Sequence, residues 1–431
     1  MDSSLRFADL GLAENLVRTL ASAGFVTPTP IQTQAIPHLL AGRDVLGIAQ
    51  TGTGKTAAFG LPIVEQLAAM PSRPGPHSVR ALILAPTREL AVQIDEQLKR
   101  FSAGLPLRRA VVLGGVGMEP QSRALARGVD ILVATPGRLL DHIERRSVRL
   151  DLVSHFVLDE ADRMLDMGFI RDVKRIVAML PKQRQSLLFS ATMPDDVAKL
   201  AAGLLNKPVR VEVTPEVVTV ERIEQQLYRV PAADKRRLLL RLLDDPEMRR
   251  VVVFTRTKHG ANRVAEHLEK AGIGVAALHG NKSQGARQRA LGGFKDGSVR
   301  VLVATDIAAR GIDVAEISHV VNYELPAEPE TYVHRIGRTA RAGRGGMALS
   351  LVEPAEARLL AAITKLIRRA IPETPLPAGM PAPQPRSAED KPATADRRGR
   401  EERRPVAAEQ KPARRPRRRR RPGPTARSAA A

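Results

Sequence analysis

The run Ala49-Gln50-Thr51-Gly52-Thr53-Gly54-Lys55-Thr56 constrains this chain more than any other stretch. It follows a short apolar segment, Asp44–Ile48, and precedes an apolar-rich helical pattern from Thr56 to Met70. Strand, glycine loop, helix is the context in which a G-x-x-x-x-G-K-[ST] run cradles phosphate. Gly52 and Gly54 let backbone N–H groups turn towards an anion, and the helix start adds its positive end. Lys55 has the reach for a β- or γ-phosphate, and the Thr56 hydroxyl can ligate magnesium. Ala49 stands where the pattern has its first glycine. A glycine-rich surface turn is the plain alternative, and the flanking strand and helix weigh against it.

The same grammar repeats along the chain. Apolar runs Ala81–Ala85, Ala110–Leu113, Asp130–Ala134, Phe156–Leu158 and Ser186–Phe189 each end in small, hydroxyl-bearing or charged residues. Such alternation predicts an α/β fold with a doubly wound parallel sheet, whose strand ends form a binding edge. One run ends in Asp159-Glu160-Ala161-Asp162. Two adjacent carboxylates at a buried strand end repel each other unless a cation is near, and Mg2+ with phosphate oxygens suits them. Earlier, Gly24–Gln32 holds two prolines and Gln32, whose amide offers the donor and acceptor that an adenine edge requires. After Pro208 the pattern lapses, and a second α/β unit follows. Val251–Phe254 ends in Thr255-Arg256-Thr257, Val301–Ala304 ends in Thr305-Asp306, and His334 to Arg341 is rich in arginine. The expected division is a helical segment 1–40, a nucleotide-binding domain 41–213, a linker 214–224, a second domain 225–370 and a tail 371–431.

Composition narrows the function classes. The 431 residues include no cysteine, which excludes disulfides, thiol catalysis and cysteine-ligated zinc. No apolar run is long enough to span a bilayer and no signal peptide is visible, so a cytoplasmic protein without membrane contact is expected. The net charge of +22 points to a polyanionic partner. From Arg386 to Ala431 there are 16 basic and 6 acidic residues. That proline-rich segment, with the run Arg417–Arg421, is expected to be a disordered basic tail. Aromatics make up 3% and tryptophan is absent, which favours contact with a sugar-phosphate backbone over stacking on bases.

Taken together, these stretches resemble the DEAD-box RNA helicases of helicase superfamily 2. The matching runs are Gly24–Gln32, Ala49–Thr56, Pro86–Leu90, Gly114-Gly115, Thr135–Arg138, Asp159–Asp162, Ser190–Thr192, Thr255–Thr257, Gln284–Arg287, Ala304–Asp313 and His334–Arg341. They occur in family order over about residues 5–370. The run Asp159–Phe169 and the basic tail resemble the bacterial RhlE-type group. Ala49, and Ala340 where many members carry glycine, are departures.

The resemblance implies two RecA-like domains, ATP in the cleft between them and RNA lying across both. It implies that Phe25 stacks on adenine, that Gln50, Thr51, Gly52, Thr53 and Gly54 wrap the phosphates, and that Asp159 holds Mg2+ through water. Glu160 would be the general base, Arg335 and Arg338 arginine fingers, and Asp313 a ribose contact. Ser190 and Thr192 would couple hydrolysis to strand separation. Asp162 would bond their turn or His334. Pro86, Thr87, Arg88, Gly115, Thr135, Arg138, Arg256 and Thr305 would contact the RNA backbone. An ATP-dependent RNA helicase is the expected activity. An ATP-gated RNA clamp and a DNA-directed ATPase are the competing readings. Ribosome assembly, RNA decay and cold adaptation are all compatible settings, and the oligomeric state is open.

Overall fold

Both faces of the apolar runs are covered, and this makes them parallel strands. The computed structural model describes residues 5–50, 52–70, 72–213, 223–309, 314, 317–340 and 345–380. The first half holds β1 (Val45–Ile48), β2 (Val79–Leu84), β3 (Arg109–Val112), β4 (Val129–Ala134), β5 (His155–Leu158), β6 (Gln185–Ser190) and β7 (Val209–Glu212). They lie in the order β3-β4-β2-β5-β6-β1-β7, every neighbour parallel. Every residue of β2, β4, β5 and β6 is buried, which is why they read as unbroken apolar runs.

Alternate side chains serve opposite layers. Val157 and Ile83 join one core with helices α1 (Glu14–Ser22), α2 (Pro30–Leu40), α3 (Lys55–Ala68) and α4 (Arg88–Phe101). Phe156, Leu158 and Leu82 join the other, under α5 (Met118–Ala126), α6 (Pro136–Glu144), α7 (Ala161–Asp166), α8 (Ile170–Val177) and α9 (Asp195–Leu204). Each fully buried large apolar side chain contributes about 1.5–3 kcal/mol. Two buried ionic groups tie strands and loops of this sheet together. Arg80 binds Asp130 across β2 and β4, and the Asp44 carboxylate accepts the N–H of Ser186 at 2.8 Å and of Asn206 at 2.7 Å.

The second half repeats the scheme. Strands β8 (Ile223–Arg229), β9 (Val251–Thr255), β10 (Val275–Leu278), β11 (Val301–Thr305), β12 (His319–Asn322) and β13 (Gly346–Val352) lie in the order β10-β11-β9-β12-β13-β8. Helices α10 (Lys235–Leu243), α11 (Lys258–Lys270), α12 (Gln284–Asp296), α13 (Asp306–Ala309), α14 (Pro329–Ile336) and α15 (Ala357–Ile367) surround it. Hydroxyls at strand ends start helices: Thr87, Thr257 and Ser283 accept the N–H of Leu90, Gly260 and Ala286 as N-caps of α4, α11 and α12. Both sheets belong to one unit, Met1–Pro383.

Two expected boundaries shift. Ile223 and Glu224, placed in the linker by their weak periodicity, begin β8 because β13 supplies a parallel partner for each; residues 214–222 lie outside the described residues. The tail does not begin at 371. Ile371 is buried, Leu227 donates its N–H to Pro372 at 2.9 Å, and Thr374 donates to Leu227 at 2.8 Å. The free edge of β8 thus captures a segment whose prolines concealed it. Residues 381–431, with the basic tail, are outside the described residues.

Candidate nucleotide and nucleic-acid site

The sheet order sorts the first half's site residues into two groups. The glycine loop, the Asp159 turn and the Ser190 turn follow β1, β5 and β6, three adjacent strands. Thr87, Gly115 and Thr135 follow β2, β3 and β4, a second set of three adjacent strands. In the second sheet Arg256 follows β9 and Thr305 ends β11, an adjacent pair.

At the glycine loop, Gly52 and Gly54 adopt φ of 92° and 93°, the left-handed region where a side chain is strained. Gly54 has a second reason to be glycine. A Cβ there would collide with the Gln32 amide and lie 2.9 Å from Thr29 Oγ1. Gln32 Nε2 donates to the Gly54 carbonyl at 3.1 Å while its Oε1 accepts the Thr29 N–H at 2.9 Å. The amide expected to read adenine therefore also staples the α2 cap to the loop. Phe25 packs edge-on against Phe101, ring centroids 5.6 Å apart. Gln50 accepts the Thr53 hydroxyl through its carbonyl at 2.8 Å, and Thr56 is half-buried in the first turn of α3. Thr51 lies outside the described residues.

Lys55 is buried, and its Nζ sits 3.9 Å from Asp159 Oδ1 with no hydrogen-bond partner. A buried ammonium left unsatisfied beside a glycine loop and a helix start is a fitting seat for a phosphate. Burial pushes the Asp159 carboxyl up to about 6; Lys55 opposes that shift and Glu160 adds to it. Glu160 adopts φ 51°, ψ 56°, an unusual left-handed conformation for a glutamate that turns the chain sharply between β5 and α7. Among the described residues no cluster of three or more His, Asp or Glu side chains is built to hold a metal by itself. Asp159 and Thr56 offer the hard oxygens that Mg2+ takes alongside phosphates.

Asp162 bonds the neighbouring turn. Its Oδ2 accepts the Thr192 N–H at 3.0 Å and hydroxyl at 2.9 Å, and its own N–H donates to Ser190 Oγ at 3.2 Å. The other suggested partner, His334, instead meets Arg163. Glu160, Asp162 and Arg163 line a cleft whose opposite wall is Val333, His334, Gly337 and Arg338.

Arg335 is a correction. It does not line that cleft and is not placed as a phosphate finger. Its guanidinium is buried in the second half, with Nε and Nη2 on Asp306 at 2.5 and 2.8 Å and Nη1 on the Glu324 carbonyl at 2.6 Å. Arg338, three residues on, faces the cleft. Asp313 and Arg341 lie outside the described residues.

The second group is a nest of arginines on loop backbone. Gly115, at φ 77°, lets the Arg88 guanidinium lie over the turn, where a Cβ would strike it. Burial and then Arg287 lower the pKa of Arg88. Arg138 donates to the Val116 carbonyl at 2.8 Å. Pro86 and Thr87 lead into α4, and Thr135 is the N-cap position of α6. In the second half, the Arg256 N–H donates to Glu324 Oε2 at 2.7 Å.

Two features escaped sequence reasoning. Arg163, one residue beyond the acidic run, reaches His334 of the other half. Glu89 on α4 binds Arg287 on α12 at 2.8 Å, both buried, and Gln284 Nε2 lies 3.4 Å from the same carboxylate. Both partners stand in runs that the family resemblance had singled out, but spacing gave no hint that they meet.

The chain is similar to known proteins over both halves. Residues 29–200 match the DEAD/DEAH box helicase family model, and residues 234–343 match the helicase conserved C-terminal domain. The DEAD-box ATP-dependent RNA helicase CshA of Geobacillus kaustophilus is 45% identical over 363 residues, covering 84% of this chain and 77% of the relative. The RNA helicase CrhR of Synechocystis is 48% identical over 373 residues, covering 86% and 74%. Among solved structures, S. cerevisiae Dbp5 bound to RNA and ADP BeF3 matches with a TM-score of 0.77 at 34% identity, covering 86% of this chain and 96% of that one.

Proposed function

This chain belongs to the DEAD-box family of ATP-dependent RNA helicases, and we propose how its own residues carry out that activity. Water attacks the γ-phosphorus of ATP, the bond to the β–γ bridging oxygen breaks, and ADP and phosphate leave. Phosphoryl transfer needs alignment and charge stabilisation more than covalent chemistry. Lys55 meets the phosphates, Glu160 orients the water and takes its proton, and Asp159 with Thr56 holds Mg2+. When bound, Mg2+ supplies charge that neutralises phosphate oxygens. Arg338 adds positive charge from the opposite wall. Gln32 and Phe25 receive the adenine.

RNA lies by its backbone on Pro86, Thr87, Arg88, Gly115, Thr135 and Arg138 of one sheet and Arg256 and Thr305 of the other. A strand held by both halves favours their closure, which links RNA binding to turnover. Backbone contact gives little sequence preference. Local unwinding of short duplexes, or remodelling of RNA–protein complexes, follows from the clamp closing on one strand. A cytoplasmic role with ribosomal or RNA-decay proteins fits the charge and the lack, among the described residues, of a helix able to cross a membrane. The run Asp159–Phe169 and the basic tail support placement in the RhlE-type group.

The observation that carries this reading is the unsatisfied, buried Lys55 ammonium beside Asp159, with Arg338 on the facing wall of the adjoining cleft. Glu160→Gln tests it. The variant is expected to bind ATP and RNA yet release no phosphate, and to stay closed on the strand so that repeated duplex separation is lost. Repeated separation that survives without phosphate release would overturn the turnover-dependent reading.

A further inference from the structure

Among the described residues Arg335 stands with the largest fully buried side chains, and it lies where three strands of the second sheet end. Its Nε and Nη2 grip both oxygens of Asp306, the residue after Thr305. Its Nη1 reaches Asn322 Oδ1 at 3.2 Å, the last residue of β12, and the Glu324 carbonyl at 2.6 Å. Its guanidinium lies 5.0 Å from the centroid of the Phe254 ring, next to Thr255 and Arg256. Glu324 in turn holds the Arg256 N–H at 2.7 Å.

The two candidate RNA-contact segments of this half therefore converge on one guanidinium. Thr305 is tied to it through Asp306, and Arg256 through Glu324. The same side chain belongs to α14, the helix that presents His334 to Arg163 and leads into Arg338. A bidentate arginine–carboxylate pair fixes orientation as well as distance, and burial stiffens it further.

We propose that Arg335 is a positioning residue that couples RNA binding to the nucleotide cleft, by pinning the helix that bears His334 and leads into Arg338 to the strand ends bearing Arg256 and Thr305. It touches neither ATP nor RNA. The proposal rests on the helicase reading above.

The test measures binding of a fluorescein-labelled oligouridylate to the full-length protein, with and without a non-hydrolysable ATP analogue. The ratio of the two affinities is the coupling factor. Arg335→Lys keeps the charge but loses the fork, and Asp306→Asn loses the carboxylate. Both are expected to lower the coupling factor about tenfold, while nucleotide affinity without RNA stays unchanged. Asp306→Glu, which restores a carboxylate, recovers coupling. If Arg335→Lys does not fold, Asp306→Asn decides. A lowered melting temperature with an unchanged coupling factor would reduce Arg335 to a structural group and overturn the proposal. So would a loss of nucleotide affinity in the absence of RNA, which marks a phosphate contact. Absence of coupling in the wild-type protein would overturn the helicase reading itself. Coupling equal in wild type and variants removes only the role of Arg335.

Discussion

Breaking the buried pair between Glu89 and Arg287 should separate the two halves of the molecule. The pair spans 2.8 Å, and its side chains are 3% and 10% exposed. At an effective dielectric of about 20 the gross attraction at that distance is about 6 kcal/mol. Desolvation offsets part of this, but removing one partner strands the other, at a cost of about 3–5 kcal/mol. Arg287→Ala should therefore lower the ratio of joined to separated halves by at least about two powers of ten. The chain has no cysteine, so cysteines introduced at exposed Lys99 and Glu269 can be labelled for energy transfer without background. Transfer efficiency with RNA and a non-hydrolysable ATP analogue reports the joined population. Glu89→Gln combined with Arg287→Ala should cost no more than Arg287→Ala alone, because no charge is then stranded. Lys295→Ala is the control. Its partner Glu96 lies 3.8 Å away and the two are 43% and 58% exposed, so its effect should stay within about 1 kcal/mol. Normal transfer in Arg287→Ala, or a double variant that sums two independent losses, would show that the pair does not hold the halves together.

Burial, and then Arg80, hold His155 down to about 4 from its ordinary 6.5. Below about pH 6.5 the unfolded chain takes a proton that the folded chain refuses, so stability falls with pH, by about 2 kcal/mol between about pH 7.5 and about pH 5. Urea midpoints should show this, and His155→Gln should remove it. Ala340 sits at φ 56°, where a methyl group is strained. Ala340→Gly should raise the unfolding free energy by about 0.5–1 kcal/mol; a lower melting temperature would show that the strain is relieved elsewhere. Removal of residues 381–431 should weaken RNA binding and flatten its dependence on salt, since fewer counterions are released. An unchanged slope would show that the tail does not touch RNA.

Strand ends were legible in the sequence because a buried parallel strand is an unbroken apolar run, so its end shows as the first polar residue. That placed Lys55, Asp159, Ser190 and Thr135 at one sheet edge. Side-chain direction at the end of a short helix was not legible. Arg335 and Arg338 are the same residue type three positions apart, and only packing decides that one turns to Asp306 and the other to the cleft. Contacts between the halves, such as Glu89 with Arg287, join residues almost two hundred positions apart, and no local pattern announces them. The segment after Ile371 was hidden for a different reason. Proline suggests a tail, yet Pro372 needs only its carbonyl to accept from Leu227 at a sheet edge.

On the proposed function, ATP turnover is driven by RNA lying across both halves. The most direct measurement is steady-state phosphate release by the full-length protein, titrated with single-stranded RNA and with DNA of the same length and sequence. RNA is expected to raise turnover at least about tenfold above the nucleotide-only rate, and DNA is not. Equal stimulation by the two, or turnover indifferent to both, would contradict it.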